Sequence, residues 1–282
     1  MRPGRRHQHP LLHRSGRLAD VTGSTDRTDS SPGAGSRPPP EPPPPAEPRQ
    51  RWRLTFARDP VPADRVGRAV LDAWQETLTG SGLPLAGLDV GGGGRARIAF
   101  AAPLPAAARG EAELADLWLL ERRPSWAVRE ALADRMPDAH RWIAAEDVWL
   151  GAPALAGQVV AADWHVEIVG RGLDRDRIAE AAQRLIAART LTRTRFKGAT
   201  QKRYDLRPLL ADIAIGPEAV PPITDGSIVL RLRTRIHPEL GAGRPEEVIA
   251  AVAESADVEL DINAMTRLRF LLGDGVPAPR HR

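Results

Sequence analysis

Apolar and polar positions alternate through "RWRLTFA" at 51–57, where Trp52, Leu54 and Phe56 recur every second residue, the period of a half-buried strand. After Pro62 the period lengthens. Val66, Val70, Ala73, Trp74 and Leu78 lie on one face of a helix that "GSGLP" at 80–84 stops. "RARIAFAAPLP" and "EAELADLWLLE" predict two strands joined by a turn, "PSWAVREALADRM" a second helix ended by Pro137, and "HRWIAAEDVWL" a closing strand. The order over residues 51–149 is βαββαβ, the split-βαβ pattern of ferredoxin-like domains.

Residues 150–282 repeat that order. "QVVAADWHVEIV" predicts a strand and "DRDRIAEAAQRLIAA" a helix capped by Asp174. "LTRTRFKG" with "KRYDLRPLLADIAI" predicts a basic hairpin, and "GSIVLRLRTRI" alternates Leu230, Leu232 and Thr234 against Arg231, Arg233 and Arg235. "RPEEVIAAVAE" predicts a helix with Pro245 in its first turn, and "ADVELDINAMTRLRFLL" a final strand or strand pair. The expected fold is α+β, with two ferredoxin-like halves, 51–149 and 150–282, each built on an antiparallel sheet.

No apolar period runs through residues 1–50, and nine of the seventeen positions from Pro32 to Pro48 are proline. Such composition cannot bury enough surface to offset its ordering entropy, so a disordered low-complexity tail with a polyproline II stretch is expected there. A Pro-rich docking peptide and a misassigned start codon are the alternatives.

Composition narrows the chemistry. The chain has 282 residues, 42% apolar, enough for one or two cored domains. The net charge of +4 and pI near 10.4 suggest a nucleic-acid partner, yet all but two of the 40 cations are Arg. That bias raises the pI by itself, because Arg does not titrate near neutrality. Without cysteine, disulfides, thiolate metal sites and a cysteine-ligated iron–sulfur cluster are excluded. No run approaches the roughly eighteen apolar residues of a membrane span, and no apolar segment follows the basic N-terminus, so a cytoplasmic protein is expected.

No sequence motif names a reaction, so no catalytic residue, cofactor or metal is assigned. The glycine run "VGGGGRARIAF" matches neither phosphate-loop spacing and leads into a predicted strand, which favours a plain loop. Glu111 and Glu113 sit two apart on a predicted strand, where paired carboxylates could shift one another's pKa or hold a cation. His165 shares a predicted face with Glu167. These are the acid-base candidates, and a solvated pair and an ordinary histidine are their plainer alternatives.

The densest charge is "TRTRFKGATQKRYDLRP" at 192–208, with six cations and one acid. Arg193, Arg195 and Lys197 share one strand face, while Lys202, Arg203 and Arg207 return on the partner strand beside Tyr204. Like charges across a sheet repel unless screened, and an aromatic among cations suits base stacking. These seven residues are the candidate RNA- or anion-binding set. A protein contact, or an edge hairpin guarded by charge, remains open beside it.

Four stretches carry a family resemblance: "RLTFARD"; "LPLAGLDVGGGGRARIAFAAPLP" leading into "EAELADLWL"; "RTRFKGATQKRYDLRPLL"; and "RPEEVIAAV". Together, over about residues 51–272, the chain resembles the radical-SAM-linked protein family, a bacterial domain found free-standing or fused behind a radical SAM protein. Lys197, Gly198, Asp205, Leu206, Arg207 and Pro208 are the most specific part, followed by "FAAPLP" at 100–105. Family members carry Ser-His-Leu-Asp and Asn-Pro-His-Pro-Lys type motifs where this chain has "VPADRVGR" and "VGGGGRAR", so both histidines are gone. The resemblance implies a non-catalytic accessory protein acting with a radical SAM partner, and a link to RNA. The competing readings are an enzyme using Glu111, Glu113, Asp205 or His165 on RNA or a phosphate-bearing substrate, and a protein-binding scaffold built on exposed tryptophans.

Overall fold

The computed structural model describes residues 46–88, 93–197, 200–216, 224 and 226–273, except the side chains of Phe196, Lys197, Thr200 and Lys202. The chain divides into two units, 1–43 and 44–282, and every described residue belongs to the second. Residues 1–45 of the tail expected over 1–50, the glycines at 91 and 92, and Gly198 lie outside the described residues, while Gln50 already opens a strand.

Mixed α and β elements follow in nearly the expected order. Strand β1 (Gln50–Arg58) leads to α1 (Arg68–Thr79), β2 (Ile98–Phe100), β3 (Ala108–Leu119), α2 (Ser125–Leu132) and β4 (His140–Val148). A short helix, α3 (Leu155–Gln158), precedes β5 (Val159–Val169), α4 (Arg175–Ala187), β6 (Thr192–Lys197), β7 (Thr200–Asp205) and β8 (Leu210–Ile215). Then come β9 (Ile228–His237), the two-residue β10 (Gly241–Ala242), α5 (Pro245–Ala256) and β11 (Asp261–Leu272). Asp174 caps α4 as its sequence predicts, its carboxylate accepting from Arg177 N–H.

In the first half, β4 pairs with β1, β1 with β3 and β3 with β2, all antiparallel. In the second, β11 pairs with β5, β5 with β9 and β9 with β8, again antiparallel. The two sets are not separate sheets. β11 pairs in parallel with β3, Met265–Arg267 against Ala108–Gly110, which merges them into one nine-stranded sheet. The division at 149/150 therefore falls within one sheet, and the expectation of a sheet for each half is corrected. The cause lies in β3: β2 covers only its C-terminal part, leaving an edge that β11 pairs.

The cores follow the same join. One cluster is built on Trp52, Leu54, Phe56, Trp74, Leu117 and Val128 under α1 and α2. The other, under α4 and α5, takes Trp164, Val166, Leu230 and Val252 from the second half but Ala101, Leu104 and Leu114 from the first.

β1 is buried on both faces, not one. Arg51 and Arg53 converge on the fully buried Asp116, with Arg51 Nε 2.9 Å and Arg53 Nε 2.8 Å from its oxygens. The connection between the halves covers them, the Ala152 and Pro153 carbonyls accepting from Arg51. A buried guanidinium is tolerable because its planar fork is matched to a carboxylate and carbonyls. The alternating pattern marks strand β1 correctly, but polar residues also fill its second buried face.

Candidate functional site

Two facts of register build the site. Arg58, the last residue of β1, stands directly opposite His140, the first of β4. Between Phe56 and Arg58 the pairing with β3 slips by one residue, from Glu113 to Gly110. This bulge re-aims β3, so Glu111 is exposed while Glu113 is only 5% exposed. The two glutamates do not share a face, which corrects the expectation from their i, i+2 spacing. Gly110 makes room: a Cβ there would lie 2.6 Å from Glu113 Cγ.

Arg58, Glu113 and His140 line a cavity of about 370 Å³ whose other walls include Phe56, Val70, Leu71, Phe100, Pro103 and Leu104. That volume is in the usual range for small-molecule sites, about 300–1,000 Å³. Glu113 receives Arg267 in a bidentate pair, Nε to Oε1 at 2.8 Å and Nη2 to Oε2. Arg267 also donates to the Ala102 and Pro103 carbonyls, and Arg58 to those of Leu104, Pro105 and Ala108. Two buried arginines thus hold the "AAPLP" turn, whose prolines have no N–H to offer. Arg58 Nε is buried without a partner.

His140 is held by its own turn. Ala139 adopts a left-handed φ of 62°, uncommon for a residue with a side chain, and its carbonyl accepts from Asp59 N–H at 2.8 Å. His140 Nδ1 lies 2.8 Å from the Asp138 carbonyl, so Nδ1 carries the proton and Nε2 is the lone pair. Burial, helped by the Arg58 charge, holds the imidazole pKa below its ordinary value against the pull of the Asp138 carbonyl and Glu113. For Arg58, burial lowers the pKa, Glu113 opposes this and Arg267 adds to it, with a net lowering. A neutral imidazole and a guanidinium therefore face one largely apolar space.

The other acid-base candidates stay apart from this space. His165 stands on the opposite side of the sheet, between Thr266 and Arg231 in register, where burial lowers its pKa and Glu111 opposes the shift. Glu167, expected to be its partner, accepts from Thr224 N–H at 2.8 Å. Asp205 Oδ1 accepts from the N–H groups of Leu191 and Arg207. Glu111, Glu113, Asp205 and His165 do not converge on one reacting atom.

The basic hairpin forms as β6 and β7, a two-stranded sheet of its own. Three of its cations are answered within the chain. Arg193 pairs with Glu254 at 2.6 Å and Arg195 with Glu247 at 2.9 Å, both acids from α5. The Arg195 guanidinium also lies 4.5 Å from the Tyr204 ring centre and donates to its hydroxyl. Arg207 donates to the Ile186 and Ala188 carbonyls at the end of α4 and to Leu210 O. Leu206 is fully buried, and Pro208 O accepts from Arg235. Arg203 is exposed, and the side chains of Lys197 and Lys202 lie outside the described residues. The Asp205–Pro208 stretch is therefore a structural latch between hairpin, helix and sheet.

The pattern "Uncharacterized protein conserved in bacteria (DUF2344)" matches residues 93–241, more than half of the chain. The chain belongs to the DUF2344 family. The matched span holds Phe100–Leu104, Glu113 and His140 of the cavity and the whole hairpin, while Arg58 lies before it. A comparison with curated proteins gave no match. Among solved structures the chain is similar to "Crystal Structure of a Cbf5-Nop10-Gar1 Complex", with 10% identity, a TM-score of 0.46 and coverage of 78% of this chain and 48% of that one. It is also similar to "Crystal structure of the archaeal box H/ACA sRNP Nop10-Cbf5 complex", with 10% identity, a TM-score of 0.41 and coverage of 78% and 47%. A third, an unknown protein from Galdieria sulphuraria, has 16% identity, a TM-score of 0.22 and coverage of 76% and 96%. The DUF2344 chain spans about half the length of the first two.

Sequence reasoning missed Arg58 and His140 as site residues. Both lie at strand ends, and only the β1–β4 register puts them together. The available signal was "RLTFARD" and "FAAPLP", two stretches of the resemblance that meet at the cavity. No helix among the described residues is long and apolar enough to cross a membrane.

Proposed function

We propose that this DUF2344 chain is a non-catalytic accessory protein that binds a small molecule in the cavity between α1, the "AAPLP" turn and the ends of β1 and β4. The carrying observation is a cavity of about 370 Å³ with aromatic and aliphatic walls and three convergent polar groups, Arg58, Glu113 and His140. Apolar walls with a few placed polar groups are the usual make-up of a ligand site. The family resemblance supplies a radical SAM protein as the partner. Each half is read as a ferredoxin-like unit, supported by the orders β4–β1–β3–β2 and β11–β5–β9–β8.

Leu71 lines the cavity and is 42% exposed, so it marks the entrance. Native mass spectrometry of the full chain purified from its own host should find a small molecule bound in wild type and missing in Leu71→Trp. Equal occupancy in both proteins would place any ligand elsewhere and defeat the reading.

A scaffold function is the second reading, favoured by Trp126 and Trp149, which are 67% and 77% exposed. Partner capture that survives high salt and is lost in Trp149→Ala would support it. Binding of RNA through the hairpin is the third. Its charge would come from Arg203 and the hairpin lysines, so Arg203→Ala should flatten the salt dependence of RNA affinity while Arg193→Ala leaves it unchanged. The reverse order would sink that assignment.

A further inference from the structure

The charge around the cavity does not balance. Arg58, in the lining, is 4% exposed; Arg267, behind it, is 3% exposed; and Glu113 is the one carboxylate among the described lining residues. That carboxylate is taken by Arg267, whose Nε and Nη2 span both of its oxygens. Arg58 is left with carbonyl acceptors alone, at 3.4 Å (Leu104), 2.5 Å (Pro105) and 3.3 Å (Ala108), and its Nε has none.

An arginine cannot escape this by losing its proton, since its pKa lies too far above neutrality. A buried cation without a counterion is costly, and natural structures pair it with an anion or leave it in water. The first half contains its own control. Arg51 and Arg53 also share one acid, Asp116, but both bond it directly, and neither keeps a buried nitrogen without an acceptor. That cluster is closed and structural, whereas Arg58 lines an open volume.

The remaining groups restrict what fits. His140 offers a lone pair at Nε2 and no charge. Phe56, Val70, Leu71, Phe100 and Leu104 present apolar surface to the rest of the occupant. Surplus charge is a single unit, two guanidiniums against one carboxylate.

We infer that the cavity selects an amphipathic monoanion, its singly charged head at Arg58 and an aromatic or branched apolar body against Phe56, Phe100 and Leu71. This rests on the reading of the cavity as a ligand site and names the chemical class that the site takes. A carboxylate suits Arg58, which lines the cavity and whose hydrogen bonds go to carbonyls and to no carboxylate. A dianion would bring a second charge into an apolar space with no second cation among its described lining residues.

The test uses the full chain and matched probes: phenylacetate, its neutral amide phenylacetamide, and the dianion phenyl phosphate, with indole-3-acetate and indole-3-acetamide as a second pair. Calorimetric titration at pH 7.5 should give each carboxylate at least tenfold tighter binding than its amide, with phenyl phosphate weaker than phenylacetate. Leu71→Trp should weaken every probe. Arg58→Lys, which keeps the charge should Arg58→Met fail to fold, should shrink the preference for the acid without abolishing binding of the amide. Amides binding as tightly as acids would overturn the monoanion and leave the ligand site standing. Phenyl phosphate binding tighter than phenylacetate would also overturn it, in favour of a phosphate-bearing ligand. No binding by any probe at millimolar concentration would overturn both the class and the site.

Discussion

Arg207 shows how a cation chosen for its charge can be held by its shape. Its guanidinium closes the end of α4 by bonding the Ile186 and Ala188 carbonyls, which have no intrahelical donors, and it reaches Leu210 as well. Arg207→Ala should cost about 2–3 kcal/mol in urea unfolding, since hydrogen bonds to charged groups contribute about 1.5–3 kcal/mol each net and their loss leaves carbonyls unpaired. Lys should restore little of this, because an ammonium cannot span that set. A loss below about 0.5 kcal/mol, the usual range of surface changes, would show that the latch is incidental. His140 makes a pH prediction. Burial, with Arg58 beside it, depresses its folded pKa below the ordinary value of about 6.5, so in acid the unfolded chain binds the extra proton. The stability due to its neutral form is then full above about pH 6.5 and is lost as pH falls from that value toward the folded pKa. Unfolding curves at pH 7.5 and 5.5 should diverge less in His140→Gln than in wild type. An equal acid loss in both would contradict this assignment. Asp163 differs: burial would raise its pKa, but hydrogen bonds and charge from Arg233 and Arg269 outweigh it, so its contribution falls away only in strong acid.

Hairpin β6–β7 shows what local pattern reveals and what it leaves out. Alternation correctly puts Arg193 and Arg195 on one strand face. What answers them, Glu254 and Glu247, is 61 and 52 residues away on α5, a pairing no local pattern records. Glu246 and Glu247 lie in the first turn of α5, where acids suit the helix dipole, and Glu247 also pairs with Arg195. A double-mutant cycle on Arg195 and Glu247 should give a coupling of about 0.5–1 kcal/mol, at the upper end for exposed pairs because both are partly sheltered. Zero coupling would release Arg195 for an outside anion. Strands and helices were legible because their periods are local. The bulge at Gly110–Glu113 was not, since it follows from pairing with β1, and it is what separates Glu111 from Glu113. Arg58 and His140 escaped for the same reason.

At the scale of the whole described fold, the strands of both halves join in one nine-stranded sheet. Ala108–Gly110 pairs with Met265–Arg267, and the same contact brings Arg267 to Glu113. One strand of the second half thereby holds Glu113, a wall residue of a cavity built on the first. Residues 46–149 expressed alone should lack a stable fold, because Ala101, Leu104 and Leu114 lose the cluster that buries them. Full-length unfolding should be a single transition, with near-ultraviolet and far-ultraviolet circular dichroism coincident. Two separated transitions would return the halves to the status of independent domains.

The most direct test of the central claim is an amide and side-chain NMR titration of the full chain with phenylacetate. Shifts centred on Phe56, Arg58, Val70, Leu71, Phe100 and His140 are expected, with the hairpin signals of Arg193 and Arg195 unmoved. Shifts centred on the hairpin or on the sheet face around His165 and Arg231, with those cavity signals still, would contradict it.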